Sequence, residues 1–392
     1  MIEDTLHRYA RHDVPASGLR AADVLIEARR RTRRRTRLVG AVAGAVTVLV
    51  AFGAAAVVRT VSAAPITAAG SGCVVELLDV PAGTTGGVEA TGVDPSGRYV
   101  IGLTGARETP RAVLWTDETV TILPAAFTPQ AVNPAGVIVG FTGPNQHDDP
   151  QQRPVLYDGA RLVPLPLPDR GVSGVAYAVN SDGDVLGTVI RADGSPAAVR
   201  WSTTGTVAIV TTVAGASGLG LNDNGVAVGF DLPAQHALRW TADGVATALP
   251  VPRGAESASA AAVMDEWAVG DASLPSTGSK NDLTTQAAVR WNLRTGSAEL
   301  ISGISGLRVS ASGTVAGTTG TGAPALWRNG RIRTLPLPPA RIYPGGSVSG
   351  ITADGHSLVG SVEVSAGPIN TSGPDSHSVV SDLTVPVVWR GC

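Results

Sequence analysis

One pattern recurs seven times along this chain of 392 residues, and its spacing narrows the fold more than any other feature. Each copy opens on a short polar turn of the form Asn/Asp/Ser/Thr-x-x-Gly. An apolar run ending near a second glycine follows. Then come a loop of variable length, a strand ending on an aromatic residue, a turn and a last strand. The clearest copy runs from Asn222-Asp223-Asn224-Gly225 through Val228-Gly229 to Leu238-Arg239-Trp240, Gly244 and Leu249-Pro250. The second glycine returns at Gly102, Gly140, Gly187, Gly229, Gly270, Gly317 and Gly360, in steps of 38, 47, 42, 41, 47 and 43 residues. A period of roughly forty with about four short strands per copy predicts an all-β chain, a seven-bladed β-propeller of four-stranded blades.

The polar turns stand at Asp94-Pro95-Ser96-Gly97, Asn133-Pro134-Ala135-Gly136, Asn180-Ser181-Asp182-Gly183, Asn222-Asp223-Asn224-Gly225, Ser310-Ala311-Ser312-Gly313 and Thr352-Ala353-Asp354-Gly355. Short polar side chains accept hydrogen bonds from backbone N–H groups two residues on, and glycine supplies the positive φ that closes the turn. The fifth copy, Met264-Asp265-Glu266-Trp267, has lost both features and reads as the least regular blade. With four strands A to D per copy, strand C ends at Trp115, Tyr157, Trp201, Trp240, Trp291, Trp327 and Trp389. Large rings at one repeat position are expected to be buried between neighbouring sheets; stacking on a sugar would need them exposed on one rim.

The first and last copies are incomplete in complementary ways. The last stops at Trp389-Arg390-Gly391-Cys392 without a strand D, while Cys73–Pro81 precedes the first copy and resembles the D strands Arg161–Pro166 and Arg331–Pro336. The N-terminal strand is therefore expected to complete the seventh blade, which removes the open edges of an unfinished sheet. Cys73 and Cys392, the only cysteines, then fall on the two sides of one C–D turn, where a bridge is feasible. A disulfide there closes a very long loop and belongs to an oxidising compartment.

Ahead of the repeats the sequence changes character. Residues 1–37 are polar and end in Arg29, Arg30, Arg31, Arg33, Arg34, Arg35 and Arg37, whereas residues 38–58 carry no charge. As a helix the uncharged stretch rises about 31 Å, enough to cross a hydrocarbon core of roughly 30 Å. The arginines then predict a cytoplasmic tail at 1–37, a transmembrane signal anchor at 38–58, a linker at 59–71 and an extracytoplasmic propeller at 72–392. A cleaved signal peptide, with Val61-Ser62-Ala63 at the cleavage site, is the competing reading, and the apolar stretch is longer than a usual signal-peptide core. Residues 1–59 carry +6 and the remainder −8, for the net −2 of the chain. An acidic outer part argues against nucleic acid or anionic lipid as its main partner. A single lysine, Lys280, in a chain rich in Ala, Gly, Val and Arg points to a GC-rich, actinobacterial genome.

The repeat resembles the bacterial HAF-type extracellular repeat, whose units carry an Ile-Asn-x-x-Gly turn, a Val-Val-Gly run, a His-Ala-Phe-like strand and a tryptophan. Leu221-Asn222-Asp223-Asn224-Gly225 and His236-Ala237-Leu238-Arg239-Trp240 match best; elsewhere the His is replaced and the Phe is Val or Leu. The likeness runs from Gly72 to Cys392. It implies a propeller outside the cell and brings no catalytic residues with it.

Candidate chemistry is sparse. The six histidines form no His-x-x-x-His pair and have no cysteine to help them, so no metal site is read. Asn180-Ser181-Asp182-Gly183-Asp184 lacks the downstream bidentate Glu of a calcium loop. No glycine-rich phosphate loop opens a helix and no Gly-x-Ser-x-Gly elbow occurs, so neither a cofactor nor a catalytic residue is assigned. The informative positions are the long B–C loops of copies two, five and seven: Gly143–Arg153, Asp271–Gln286 and Ser361–Val385. Antiparallel connectivity sends B–C and D–A connections to one face, and A–B and C–D turns to the other. One rim then carries His147, Asp148, Asp149, Lys280, Asn281, Asp282, Asp375 and His377. On the same rim, Leu165-Pro166-Leu167-Pro168, Leu249-Pro250-Val251-Pro252 and Leu335-Pro336-Leu337-Pro338 each precede an arginine: Arg170, Arg253 and Arg341. Three guanidinium groups converging near an axis suit an anionic ligand; the alternative is solvated loop charge.

The sequence thus predicts a non-enzymatic binding module at the cell surface, held by residues 38–58 and taking a glycan, peptide or protein. Two other readings stay open. One is a signalling or anti-sigma-like regulator, whose cytoplasmic partner would meet the short helices expected at Ile2–Arg11 and Leu19–Thr36. The other is a propeller enzyme, a hydrolase or lyase with its site at the central axis.

Overall fold

Each copy of the repeat folds into one antiparallel sheet, as its spacing requires. The computed structural model describes residues 66–68, 72–82, 84, 87–105, 110–117, 119–144, 149–168, 170–203, 207–209, 215–275, 286–338, 342–365 and 382–392. Blade 1 comprises Val88–Val93, Tyr99–Thr104, Arg111–Thr116 and Thr119–Ile122, which are strands A to D. Blade 2 is Thr128–Val132, Ile138–Thr142, Arg153–Tyr157 and Leu162–Pro164. Blade 3 is Gly171–Val179, Val185–Arg191, Pro196–Trp201 and Val207–Ile209. Blade 4 is Ala216–Leu221, Ala227–Asp231, His236–Trp240 and Ala246–Ala248. Blade 5 is Ser257–Met264, Trp267–Ser273, Gln286–Asn292 and Ser297–Ile301. Blade 6 is Ile304–Val309, Val315–Thr319, Pro324–Arg328 and Arg331–Thr334. Strand A of each blade contacts strand A of its neighbours, so the A strands line the axis and the D strands form the outer wall.

Blade 7 closes the ring from both ends of the chain. Its A, B and C strands are Ile342–Ile351, Leu358–Ser365 and Asp382–Arg390, and its outer strand is the N-terminal Val74–Leu77, antiparallel to strand C with Val74 opposite Arg390. That strand is shorter than the Cys73–Pro81 expected from sequence. Cys73 and Cys392 are joined by a disulfide across this junction, with Cα atoms 4.3 Å apart.

The recurring glycine has a steric cause. A Cβ on Gly229 would stand 1.8 Å from Ser217 O in strand A and 3.1 Å from the Trp240 ring. The same carbonyl contact recurs at Gly270, Gly317 and Gly360, against Ser259, Ser305 and Ser347. In every blade strand A bulges one residue past the partner of this glycine, as between Gly218 and Gly220 in blade 4 and Val348 and Gly350 in blade 7. A bulge bends and twists its strand. Here that bend presses the innermost strand onto a position only glycine can occupy.

The apolar core is distributed rather than central. Each of seven clusters is shared by two adjacent blades, the last by blades 7 and 1, where Val359 and Val388 pack with Val88, Val113 and Trp115. The strand C rings are buried at these seams: Trp240, Trp291 and Trp389 are fully enclosed, and Trp115, Tyr157, Trp201 and Trp327 nearly so. Burial between sheets is therefore their role, and none of the seven is free to stack on a sugar from a rim.

Three details depart from expectation. The fifth copy is not irregular: Met264 pairs with Trp267 in a tight hairpin, with Asp265 at φ 47 taking the place of the turn glycine. In blade 7 strands B and C extend to Ser365 and from Asp382, so the inserted B–C segment is 366–381 rather than Ser361–Val385. Finally, Ile66–Ala68, expected in a linker, adds to the outer edge of blade 6 as a fifth, parallel strand. Residues 1–65, which hold the expected tail and anchor, lie outside the described residues. Among the described residues no helix is long and apolar enough to cross a membrane.

Candidate functional site

The two faces of the ring are built differently. On the face of A–B and C–D turns, polar groups are spent on one another. Asn133 Oδ1 accepts from the N–H groups of Ala135 and Val137, Asn180 Oδ1 from Asp184 N, and Asn222 Oδ1 from Val226 N. The side-chain amides then reach the next turn: Asn133 Nδ2 donates to Asn180 O at 2.9 Å, and Asn222 Nδ2 to Asp265 O at 2.7 Å. Ser181 donates from N and Oγ to the Asp223 carboxylate, Ala311 N to Ala353 O, and Ala353 N to Pro95 O. Asp94, Asn133, Asn180, Asn222, Ser310 and Thr352 are all buried here. Satisfied, buried polar groups of this kind rigidify a structure and leave little for a ligand.

Arginines beside the strand C aromatics complete this stitching. Arg200 Nη1 donates to Gly225 O of the next blade at 3.4 Å, Arg290 Nη1 to Gly313 O at 2.8 Å, and Arg328 Nη2 to Gly355 O at 2.7 Å. Where the next turn lacks its glycine, Arg239 Nη1 reaches Leu293 O instead. The Asp184 carboxylate of the calcium-like sequence is taken by Arg200 at 2.6 Å. Arg290 lies between two indoles, 4.2 Å from the Trp267 ring and 4.3 Å from the Trp327 ring, and pairs with Glu299 at 2.7 Å. Local donors also hold carboxyls on this face below their ordinary range. The Thr352 hydroxyl and His356 N–H do so for Asp354, the backbone N–H groups of Arg161 and Ala160 for Asp158, and the Arg294 guanidinium for Glu266.

The opposite face carries the D–A and B–C connections. Its prolines have a structural task that sequence reading missed. Trp201 Nε1 donates to Pro166 O at 2.7 Å, Trp291 Nε1 to Pro250 O at 2.8 Å, and Trp389 Nε1 to Pro336 O at 2.7 Å. Trp115 Nε1 does the same to Asp79 O, just past the outer strand of blade 7. Each indole thus pins the chain leaving the previous blade. Trp240 Nε1 is buried with no partner among the described residues, and residues 210–214, which follow strand D of blade 3 in the sequence, lie outside them. The signal was present in the sequence as the coincidence of Leu-Pro pairs with a tryptophan one blade later.

Beyond these pinned segments stand Arg170 and Arg253, both exposed, in connections two blades apart; Arg170 sits at φ 67 and its carbonyl accepts from Ala192 N. Arg341 lies outside the described residues, as do His147, Asp148, Lys280, Asn281, Asp282, Asp375 and His377. Asp149 is described and serves a turn: its Oδ1 accepts from Gln151 N at 2.8 Å. The base of this insertion is fastened to the ring, because Gln152 Nε2 donates to Pro144 O and Gln152 O accepts from Gly174 N of blade 3. Strands B and C flank all three insertions on this face, ending at Thr142, Ser273 and Ser365 and resuming at Arg153, Gln286 and Asp382.

Around the axis the seven bulges leave Thr91, Gln130, Tyr177, Leu219, Ala261, Leu307 and Ser349 half-buried. None of these side chains is acidic, so this tier offers no carboxylate pair. Among the described residues no group of three or more His, Cys, Asp or Glu side chains is disposed to hold a metal ion. The arrangement suits display of variable loops from a rigid ring.

No protein-family model matches the chain, and no curated protein sequence matches it. Solved structures do resemble it. The β-propeller domain of the Trilobed protease from Pyrococcus furiosus, described as having an open velcro topology, is 13% identical, with 78% of this chain and 96% of that chain covered and a TM-score of 0.51. Virginiamycin B lyase from Staphylococcus aureus is 12% identical over 81% of this chain and 99% of that one, with a TM-score of 0.49. A puromycin-hydrolyzing peptidase from Mycobacterium tuberculosis is 14% identical over 69% of this chain and 48% of its own, with a TM-score of 0.47. The fold defines the class, a seven-bladed β-propeller, and at these identities the likeness concerns fold alone.

Proposed function

We propose that this chain is an extracytoplasmic propeller, anchored by residues 38–58, that binds a cell-surface glycan, peptide or protein through its D–A and B–C face. The observation that carries the reading is the asymmetry of the two faces. One closes its polar groups into turn-to-turn bonds, and the three long insertions all depart from the other. The bridge Cys73–Cys392 supports an oxidising compartment. The HAF-type likeness of turn, glycine and tryptophan agrees with an extracellular role, and the composition with an actinobacterial source.

The test is a glycan and peptide array screen of residues 59–392, repeated with the segments 145–148, 276–285 and 366–381 replaced by short turns. The trimmed ring is expected to bind at least about tenfold more weakly, which corresponds to roughly 1.4 kcal/mol. Unchanged binding would sink the assignment of this face.

One observation favours a second reading, a regulator that couples the ring to residues 1–37. The strand Ile66–Ala68 ties the segment following the apolar stretch directly to blade 6. Selective capture of a cytoplasmic protein by 1–37, altered by a ligand of the ring, would favour it over passive binding.

A further inference from the structure

The added strand on blade 6 also carries information about direction. Ile66 pairs with Ile332, Thr67 with Arg333 and Ala68 with Thr334, all in parallel. Strand D of blade 6 leaves the Asn329-Gly330 turn, where both residues have positive φ, and runs toward the insertion-bearing face. A parallel partner runs the same way. The chain therefore reaches Ile66 on the face of A–B and C–D turns. It reaches Cys73 on that face too, since Val74 opposes Arg390 at the junction of blade 7.

Only residues 59–65 separate Val58 from Ile66. Eight residue steps at full extension reach no more than about 29 Å. Without the pairing the first fixed point would be Cys73, fifteen steps away, with a reach of about 54 Å. The pairing thus nearly halves the leash and fixes where on the ring it attaches.

We propose that Ile66–Ala68 is a strap that holds the turn face toward the membrane, so that the insertion-bearing face looks outward. This rests on the anchor reading of residues 38–58. It deepens the proposed function by restricting the ligand: a polar ligand presented from the wall or the medium meets the insertions, and a lipid head group of the same membrane does not. The distribution of polar groups agrees with this, because the face turned to the bilayer is the one whose turns already satisfy one another.

The experiment uses the full chain reconstituted in liposomes. An azide-bearing residue is installed at Asn224, exposed on the turn face of blade 4, or at Ala234, exposed on the opposite face of the same blade. Each is coupled to a donor dye, and energy transfer to acceptor-labelled lipid head groups is read. Five-residue strands separate the two faces by about 17 Å, so transfer from position 224 is expected to exceed that from 234 by about twofold or more. The double variant Thr67→Pro, Ala68→Pro takes two backbone N–H groups from the strap and disfavours it as a strand. It is expected to abolish this difference while the chain stays in the membrane fraction and keeps its disulfide. Equal transfer from the two positions, or greater transfer from 234, overturns the orientation. A difference that survives in the double variant overturns the role of the strap. Recovery of the native chain from the aqueous phase overturns anchor and orientation together, which separates that failure from the other two.

Discussion

Gly229 has no room for a side chain. Ser217 O would lie 1.8 Å from an added Cβ, and backbone in a bulged strand cannot give way as a flexible side chain can. Gly229→Ala is therefore expected to destabilise the ring by about 3 kcal/mol, the upper part of the range for overpacking. Gly320→Ala is the control: nothing lies within 4 Å of its added Cβ, and a change within about 0.5 kcal/mol is expected. Denaturant unfolding of the two variants checks this, and equal midpoints would show that the recurring glycine marks something other than close approach. The same scale separates candidates for function. Arg170 and Arg253 are exposed, whereas Arg200, Arg290 and Arg328 are committed to the neighbouring blade. Neighbours in space, not residue type, made that distinction.

A blade is a marginal object alone and becomes stable through its seams. Each seam holds an apolar cluster; four add an indole pinning the previous blade's exit, and four an arginine reaching the next blade. The seam between blades 5 and 6 concentrates these contacts on Arg290, held by Trp267, Trp327, Glu299 and Gly313. Trp267 is the one tryptophan off the repeat position, and it stands where the fifth copy lost its turn glycine. A planar guanidinium stacks on two rings while donating at its edge; an ammonium cannot do both. Arg290→Lys is expected to cost about 1–2 kcal/mol of stability, while Arg161→Lys, at a surface pair with Asp158, stays within about 0.5 kcal/mol. Thermal unfolding of both variants distinguishes a seam clamp from ordinary surface charge.

Over the whole molecule, the ring has one junction made of segments from opposite ends of the chain. Val74–Leu77 pairs with Asp382–Arg390, Cys392 N donates to His356 O, and Arg328 Nη1 donates to Cys392 O. The disulfide spans a sequence separation of 319. Cross-linking so long a loop removes much entropy from the unfolded chain, about 6 kcal/mol in the chain-entropy account. Cys392→Ser is expected to lose stability of that order. Hydrogen exchange should rise first at Val74–Leu77 and Asp382–Arg390, because the junction becomes the weakest cooperative unit. Uniform protection in the variant would show that the outer strand is held without the bridge.

Architecture was written in the sequence because a ring of blades repeats local rules. The turn at Asn222, the bulge-facing Gly229 and the buried Trp240 lie within 18 positions of one another, so their spacing survives as a period. The two cysteines at the broken copies likewise marked the junction. What linear order could not convey are bonds between residues that meet only when blades stand side by side. Pro166 and Trp201, and Arg290 and Trp327, are such pairs. Their partners are chosen by the angle between neighbouring sheets, and no periodicity records that angle. The sequence alone determined that the chain makes seven sheets and joins its ends. Tertiary structure alone decided which face is consumed by its own hydrogen bonds, because only packing shows which polar groups are already satisfied.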